Sequence, residues 1–296
     1  IGSIGVRRDA AAVNPLGGLL ASPDADVAQA AARALGAIGN APAAALLREA
    51  VGKASDANRL AFCEGLLRCA SVSDVPGMIV RGMGSDGKCH YPLGSDDQTH
   101  PWFYGLHAYV KSGLPDEAAR ARAIAKMREV ADVLESTGWR CPCDGAFKGD
   151  FRGGFKGHLF RDAVRYLHML RVMADVTGDD VWLRRYCAAL AERPEKSDKT
   201  RAEICAVGYP LDAEAIKNIN GWQLWIYVGS QGALAELAAM EKDASILQQY
   251  RAGLLANATN ALPSIAAYQQ FDNADTKVFG NARWREAYSP RPRWHR

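Results

Sequence analysis

The segment Asp24-Ala-Asp-Val-Ala-Gln-Ala-Ala-Ala-Arg-Ala-Leu-Gly-Ala-Ile-Gly39 recurs 32 positions later as Asp56-Ala-Asn-Arg-Leu-Ala-Phe-Cys-Glu-Gly-Leu-Leu-Arg-Cys69. Ile1-Gly-Ser-Ile-Gly5 repeats the Ile38-Gly39 end of the unit. Within one copy Val27, Ala31, Ala34, Leu35 and Ile38 fall at i, i+4, i+7, i+8 and i+11, one face of an α-helix. Ser22-Pro23-Asp24 marks its start, with a capping residue followed by a proline where no backbone donor is needed. Alanines let paired helices approach closely, and such units bury their apolar faces only by stacking on one another.

Through Leu19-Leu20, Pro23-Asp24, Val27, the Ala30-Ala-Ala32 run, Ala34-Leu35, Ile38-Gly39 and Leu46-Leu47, this region resembles HEAT-type helical repeats. The resemblance implies a scaffold whose concave surface binds a protein partner. Two copies and a fraction fall short of a self-sufficient stack, so either an earlier part of the repeat is missing or the following domain caps it. We place that boundary at Ser71-Val-Ser-Asp-Val-Pro-Gly77, dividing the chain into 1–73 and 74–296.

Beyond it the composition turns aromatic, glycine-rich and histidine-bearing. Helical patterns run over 102–112, 115–136, 157–177, 179–191, 212–240 with a break near Gly221, and 244–262. Ile124, Met127, Val130, Ala131 and Leu134 form one stripe, and Leu159, Ala163, Tyr166, Leu167, Leu170 and Met173 another. Gly178 ends one helix just before Asp179-Asp180 opens the next, the short connection of an antiparallel hairpin. Alternating strand patterns are lacking, so the expected fold is all-α.

The stretch Pro76 to Leu106, the helix Leu159 to Gly178 and Asn220-Gly-Trp-Gln-Leu-Trp225 together look like glycan-facing segments of α/α-toroid, six-hairpin glycosidase-like proteins. The resemblance covers 75–285 and implies carbohydrate processing, by hydrolysis or by lyase elimination. The region offers about half the hairpins of a complete toroid, so a partial toroid is the expectation.

Chemistry concentrates at Arg81, His90-Tyr91, Asp96-Asp97-Gln98, His100, Trp102 and Tyr104. Glycoside hydrolysis needs two carboxyl groups, one giving a proton to the leaving oxygen and one acting on water or carbon. Asp97 is the first candidate because it lies just before a helix, whose positive N-terminal end favours an anion. Asp150 and Asp162 are candidate partners, while Asp96 or Asp97 can equally be a helix N-cap. For elimination, Arg81 or Gln98 can neutralise a uronate, His100 can be the base and Tyr91 the acid. Trp102, Tyr104, Trp139, Trp222 and Trp225 can offer flat faces to sugar rings or pack a core, and Asn220 can bind hydroxyls or cap a helix.

The loop 139–154 is too long for a simple turn. Its Cys141 and Cys143 lack zinc spacing, so no metal and no cofactor is expected; a disulfide involving Cys89 or either loop cysteine would fit an exported protein. Phosphate-cradling loops and nucleophile elbows are missing, which sets aside nucleotide hydrolysis and serine-esterase chemistry. Thirty-six Lys+Arg against 33 Asp+Glu gives a formal charge of only +3, with basic residues scattered apart from Arg283, Arg285, Arg291, Arg293 and Arg296, so nucleic acid is not an expected partner. The chain has no run of 18 apolar residues, hence no expected membrane span; the expectation is a soluble protein, with export from a bacterial cell open and the beginning at Ile1 reading as a processed, trimmed or fragment end.

The expected function is a glycoside hydrolase acting on acidic or unsaturated oligosaccharides, with Asp97 as principal acid/base. The alternatives are a polysaccharide lyase and a non-enzymatic HEAT-type scaffold for a protein or glycan.

Overall fold

A computed structural model describes residues 9–38, 42–43, 46, 64–82, 86, 88–209 and 221–269. The architecture is all-α helical-repeat, with helices joined in antiparallel hairpins and one short ribbon of strand. Helices α1 (Val13–Leu19) and α2 (Ala25–Ile38) pack together, and Val13, Leu16, Ala31, Ala34 and Leu35 form their core. Of the expected stripe, Ala31, Ala34 and Leu35 therefore face inward, Ile38 packs against them partly buried, and Val27 is half-buried outside that core. The cap is Asp24 rather than Ser22: its Oδ1 accepts from Val27 N at 3.3 Å, which leaves Pro23 outside the helix.

The larger core belongs to α3 (Asp96–Lys111), α4 (Glu117–Ser136), α5 (Phe160–Thr177), α6 (Asp180–Ala191), α7 (Arg201–Val207), α8 (Gly221–Met240) and α9 (Ala244–Gln269). Helix α5 is the hub, touching α3, α4, α6, α7 and α8. Nearly every turn of it is apolar on more than one side, the pattern of a helix enclosed by neighbours. Residues 64–69 are helical as well, and Leu67 and Ala70 enter this larger core. There Trp102 Nε1 donates to the Leu66 carbonyl at 2.7 Å.

Several boundaries differ from expectation for identifiable reasons. Helix α3 begins at Asp96 rather than Trp102, because the Ser95 carbonyl accepts from both Gln98 N and Thr99 N and closes a turn upstream of Pro101. Pro101 then sits inside the helix, where its missing N–H leaves the Asp97 carbonyl without the usual i+4 donor. Helix α7 lacks an apolar stripe but carries a capping box, with Thr200 Oγ1 accepting from Glu203 N and the Glu203 carboxylate accepting from Thr200 N. Helix α9 continues past Pro263 instead of ending at Leu262.

The loop after α4 is not strand-free. Gly138 and Trp139 both take positive φ, 67° and 63°, which turns the chain sharply away from the helix. The segment then folds into an antiparallel ribbon of β1 (Arg140–Pro142) and β2 (Phe151–Gly154), with a bulge between Arg140 and Pro142. The hairpin junction read at Gly178 is present as expected: Gly178 is left-handed at φ 63° and Asp179 accepts from Val181 N at 2.9 Å. Leu159, assigned to the α5 stripe, is instead the exposed residue preceding that helix.

Candidate functional site

The strand ribbon and the segment 88–95 meet at the beginning of α3. Asp144 N donates to the Pro92 carbonyl, and the Asp144 carboxylate accepts from Ser73 Oγ at 2.6 Å and lies 2.7 Å from His90 Nε2. These bonds hold the Asp144 carboxyl down at about 2 and raise the proton affinity of His90. Gly94 lies so close to the Pro142 carbonyl that a Cβ there would overlap it. The ribbon is thereby fastened to the loop that presents Asp96 and Asp97.

Asp96 and Asp97 occupy the first turn of α3, while Ser95 takes the N-cap position without a side-chain cap bond. Neither aspartate is therefore the N-cap. Asp96 Oδ2 accepts from Arg165 Nη1 of α5 at 2.8 Å, and Asp97 Oδ1 lies 3.4 Å from Arg81 Nη2. The Arg81 guanidinium also stands over the Tyr91 ring, 5.4 Å from its centre.

Arg165 is 2% exposed, and its Nε finds no acceptor. Burial disfavours its charge, while Asp96, Asp97 and Asp162 favour it. The other deeply buried arginine makes a contrast: Arg201 donates to Glu192 and to the Gly157 and Lys156 carbonyls. Arg201 has the full set of partners expected of a structural cation, and Arg165 does not.

Asp162 lies on the same helix as Arg165, one turn earlier. Its Oδ2 accepts from Leu159 N at 3.2 Å, and Arg161 Nε lies 3.3 Å from Oδ1. Burial, the dominant effect, raises its pKa, and the neighbouring Asp96 pushes the same way. Three carboxylates from two helices thus act on one enclosed guanidinium.

A second polar group continues from this point along α3, α5 and α8. His100 Nε2 is 3.2 Å from His168 Nδ1, and His168 Nε2 is 2.8 Å from Glu236 Oε2. The Tyr104 ring stacks on His168 with centres 5.6 Å apart, and the Glu236 carboxylate raises the Tyr104 pKa after burial has done so. Both fully buried histidines have lowered pKa values, His100 strongly, because burial penalises their cations. Glu236 is held at about 2 by hydrogen bonds from His107 and His168 that outweigh burial.

The sequence candidates divide accordingly. Arg81, Tyr91, Asp96, Asp97 and Asp162 are brought together, with half-buried Gln98 on the same helical turn; His90, in the extended segment before α3, is tied to Asp144 and the Lys88 carbonyl instead. His100 lies behind them without an open face, so it cannot meet a substrate proton as a base. Trp102 is 2% exposed and bonded to Leu66, and Trp139 packs edge-on to Tyr166; neither presents a ring to a sugar. Tyr104 joins the histidine group. Asp150 is exposed on the ribbon's turn, outside the cluster. Asn220 lies outside the described residues; Trp222 and Trp225 are on the α8 backbone, but their side chains also lie outside the description.

Cys89, Cys141 and Cys143 are free thiols, against the disulfide expectation; burial pushes the Cys141 thiol up to about 12. Among the described residues no group of three His, Cys, Asp or Glu side chains is placed to hold a metal, and no helix is long and apolar enough to cross a membrane. A cleft of about 840 Å³ opens elsewhere, lined by Arg171, Tyr186, Cys187, Glu241 and Gln249 among others, and none of the sequence candidates borders it.

Sequence reasoning missed Glu236 and His107 and gave Arg165 no role. One signal was available: His100, Tyr104, His107 and Lys111 share one face of α3 by helical spacing, and a polar face on a core helix needs polar partners.

No curated protein and no solved structure matches the chain. Residues 1–66 match the family model for HEAT repeats, so the front of the chain is similar to that family.

Proposed function

We propose that the chain is a carbohydrate-active hydrolase that cleaves acidic or unsaturated oligosaccharides at the beginning of α3. The supporting observation is the gathering of Asp96, Asp97 and Asp162 around the incompletely partnered Arg165. Hydrolysis needs one carboxyl that keeps its proton and one that does not. Asp162, whose burial favours the protonated form, gives its proton to the leaving oxygen. Asp97, in the first turn of α3, draws the proton from the attacking water. Arg81, more exposed than Arg165, meets the uronate carboxylate beside Tyr91. The resemblance to α/α-toroid glycosidases agrees with this assignment, and the helical hairpins would form part of such a toroid.

Elimination is less well supported, because its base would be the enclosed His100, whose proton affinity burial has lowered. The HEAT match favours a second reading, a scaffold that holds a protein partner on its repeat surface.

The test is incubation of the purified chain with uronate polysaccharides and with their lyase-generated oligosaccharides, following the absorbance of the 4,5-unsaturated uronate alongside new reducing ends. Falling absorbance, lost in Asp97→Asn and Asp162→Asn, is the expected result. New reducing ends at constant absorbance would make the enzyme an ordinary glycosidase, and rising absorbance would make it a lyase. No change with any substrate would leave the scaffold reading.

A further inference from the structure

His107, on α3, lies between two carboxylates carried by two other helices. Its Nε2 is 3.0 Å from Asp175 Oδ2 of α5, and its Nδ1 is 3.6 Å from Glu236 Oε2 of α8. A neutral imidazole has one N–H and one lone pair, so it can donate to only one of them and must turn a lone pair toward the other. Only the imidazolium suits both.

The neighbouring groups place the charge on His107 rather than on His168. His168 already meets Glu236 through Nε2, while its Nδ1 faces His100. Full burial disfavours a cation at His168, and in its neutral form Nε2 donates to the carboxylate while Nδ1 accepts from His100. From α3, Tyr104 and Lys111 border the cluster, and Lys111 Nζ stands 3.0 Å from the same Asp175 oxygen. From α5 the neighbours are His168 and Asp175, and from α8 Glu236. On α4, Arg122 pairs with Glu64, Lys126 with Glu129, Arg128 with Asp179 and Glu135 with Arg185, none of them with this cluster.

We propose that His107 is a pH-responsive latch between α3 and α8: as a cation it ties Glu236 and Asp175 to α3 together, and on losing its proton it gives up its ion pair with Glu236 and so weakens the hold on α8. The asymmetry follows from Lys111, which keeps Asp175 attached to α3 in either state, whereas among the described residues Glu236 has no second cation within reach and keeps only the uncharged hydrogen bonds of Tyr104 and His168. The α3–α5 contact therefore persists at high pH and α8 is the element that loosens. Helix α8 also passes beside Arg165, where a Cβ on Gly229 would lie 4.0 Å from Nη2, so the latch controls how firmly one wall of the carboxylate–arginine cluster is held. The latch itself does not depend on any assigned activity.

The ordering of charges has a measurable direction. Hydrogen bonds and charge from Glu236 and Asp175 outweigh burial and raise the His107 pKa above its ordinary value. A raised folded-state pKa means that the stabilisation is complete below the unfolded value and is lost as pH rises through the folded one. The latch therefore opens on the alkaline side.

The experiment has two arms on the full chain. In the first, the ring carbons of isotope-labelled histidine are titrated by NMR, with His107 assigned from His107→Gln. The expected midpoint lies above the ordinary value of about 6.5 and falls in Glu236→Gln. In the second, hydrogen exchange of the segment 229–240, corrected for intrinsic rates, is compared below and above that midpoint. Loss of one charge-assisted contact corresponds to about tenfold faster exchange in α8 at high pH, with α4 unchanged. In His107→Gln the segment should exchange rapidly at every pH; if that variant does not fold, Glu236→Gln provides the same comparison. A His107 midpoint at or below the ordinary value, or α8 exchange with the same protection on both sides of the midpoint, would overturn the latch.

Discussion

Replacing Asp96 by Asn should destabilise the protein far more than replacing Asp97, although the two are adjacent, have equally exposed side chains and each pair with an arginine. The difference lies in the partners. Arg165 is 2% exposed and bonded to Asp96 at 2.8 Å, whereas the Arg81 side chain is 32% exposed and stands 3.4 Å from Asp97. Removing one member of a buried ion pair costs about 3–5 kcal/mol, because the remaining charge is enclosed without its counterion. Asp97 and Asp162 also act on Arg165 and soften that loss, so about 2–3 kcal/mol is the expectation for Asp96→Asn. The Arg81 pair is a surface contact, and Asp97→Asn should cost less than ~1 kcal/mol. Urea unfolding followed by the fluorescence of the buried Trp102, Trp139 and Trp182 reads this directly. With a slope of ~2 kcal/mol/M, Asp96→Asn should lower the midpoint by about 1 M, while Asp97→Asn leaves it nearly unmoved. Adding Arg165→Met to Asp96→Asn should recover part of the loss, since the enclosed charge is then gone. Equal shifts for the two aspartates, or no recovery in the double variant, would refute the idea that an enclosed guanidinium anchors this end of α3.

Gly153→Ala should reproduce much of the Asp96 effect, because φ is 77° there and the added Cβ would fall on the Asp96 carboxylate; the same urea midpoint measures it. Thr200→Ala removes the capping box of α7 and should cost ~1 kcal/mol by the same assay, with no change in any site readout. Acid unfolding should be blunted in Glu236→Gln and in Asp144→Asn. Both carboxyls have folded pKa values near 2, so their stabilisation is present above the unfolded value and is lost as pH falls toward 2, as circular dichroism against pH would record. Native alkylation followed by mass spectrometry should modify the exposed Cys89 and Cys187 well before the buried Cys141 and Cys205.

The helices were legible where the physics is local. The stripe residues Ala31, Ala34, Leu35 and Ile38 show the core between α1 and α2, and Gly178-Asp179 shows the hairpin, because spacing and caps are properties of neighbouring residues. The errors arose where two local rules competed. The helix is expected from Trp102, after Pro101, yet the Ser95 carbonyl gathers two donors upstream, and a helix that already has its first turn tolerates proline at the cost of one bond. The ribbon 140–154 was illegible because its pairing depends on Trp139 adopting positive φ, which no side-chain pattern encodes.

The polar cluster follows a different logic. His100, Tyr104 and His107 lie on the face of α3 turned toward α5 and α8, where an apolar stripe would be simpler to bury, and each finds a partner on another helix. Their sequence separations from those partners, Glu236 above all, are far too long for pattern reading, so the aspartates at the helix start drew attention and the carboxylate beyond 200 did not. Geometry reverses that emphasis in part. Asp97 stays a candidate because it is still partly open to solvent, while His100 becomes a supporting group whose Nε2, facing His168 Nδ1, orients that ring. A fully satisfied polar seam of this kind rigidifies a helix junction. The contrast is Arg165: it lies at the seam's end, enclosed, with its Nε unmatched, so this end of the junction is less completely satisfied than the histidine group behind it.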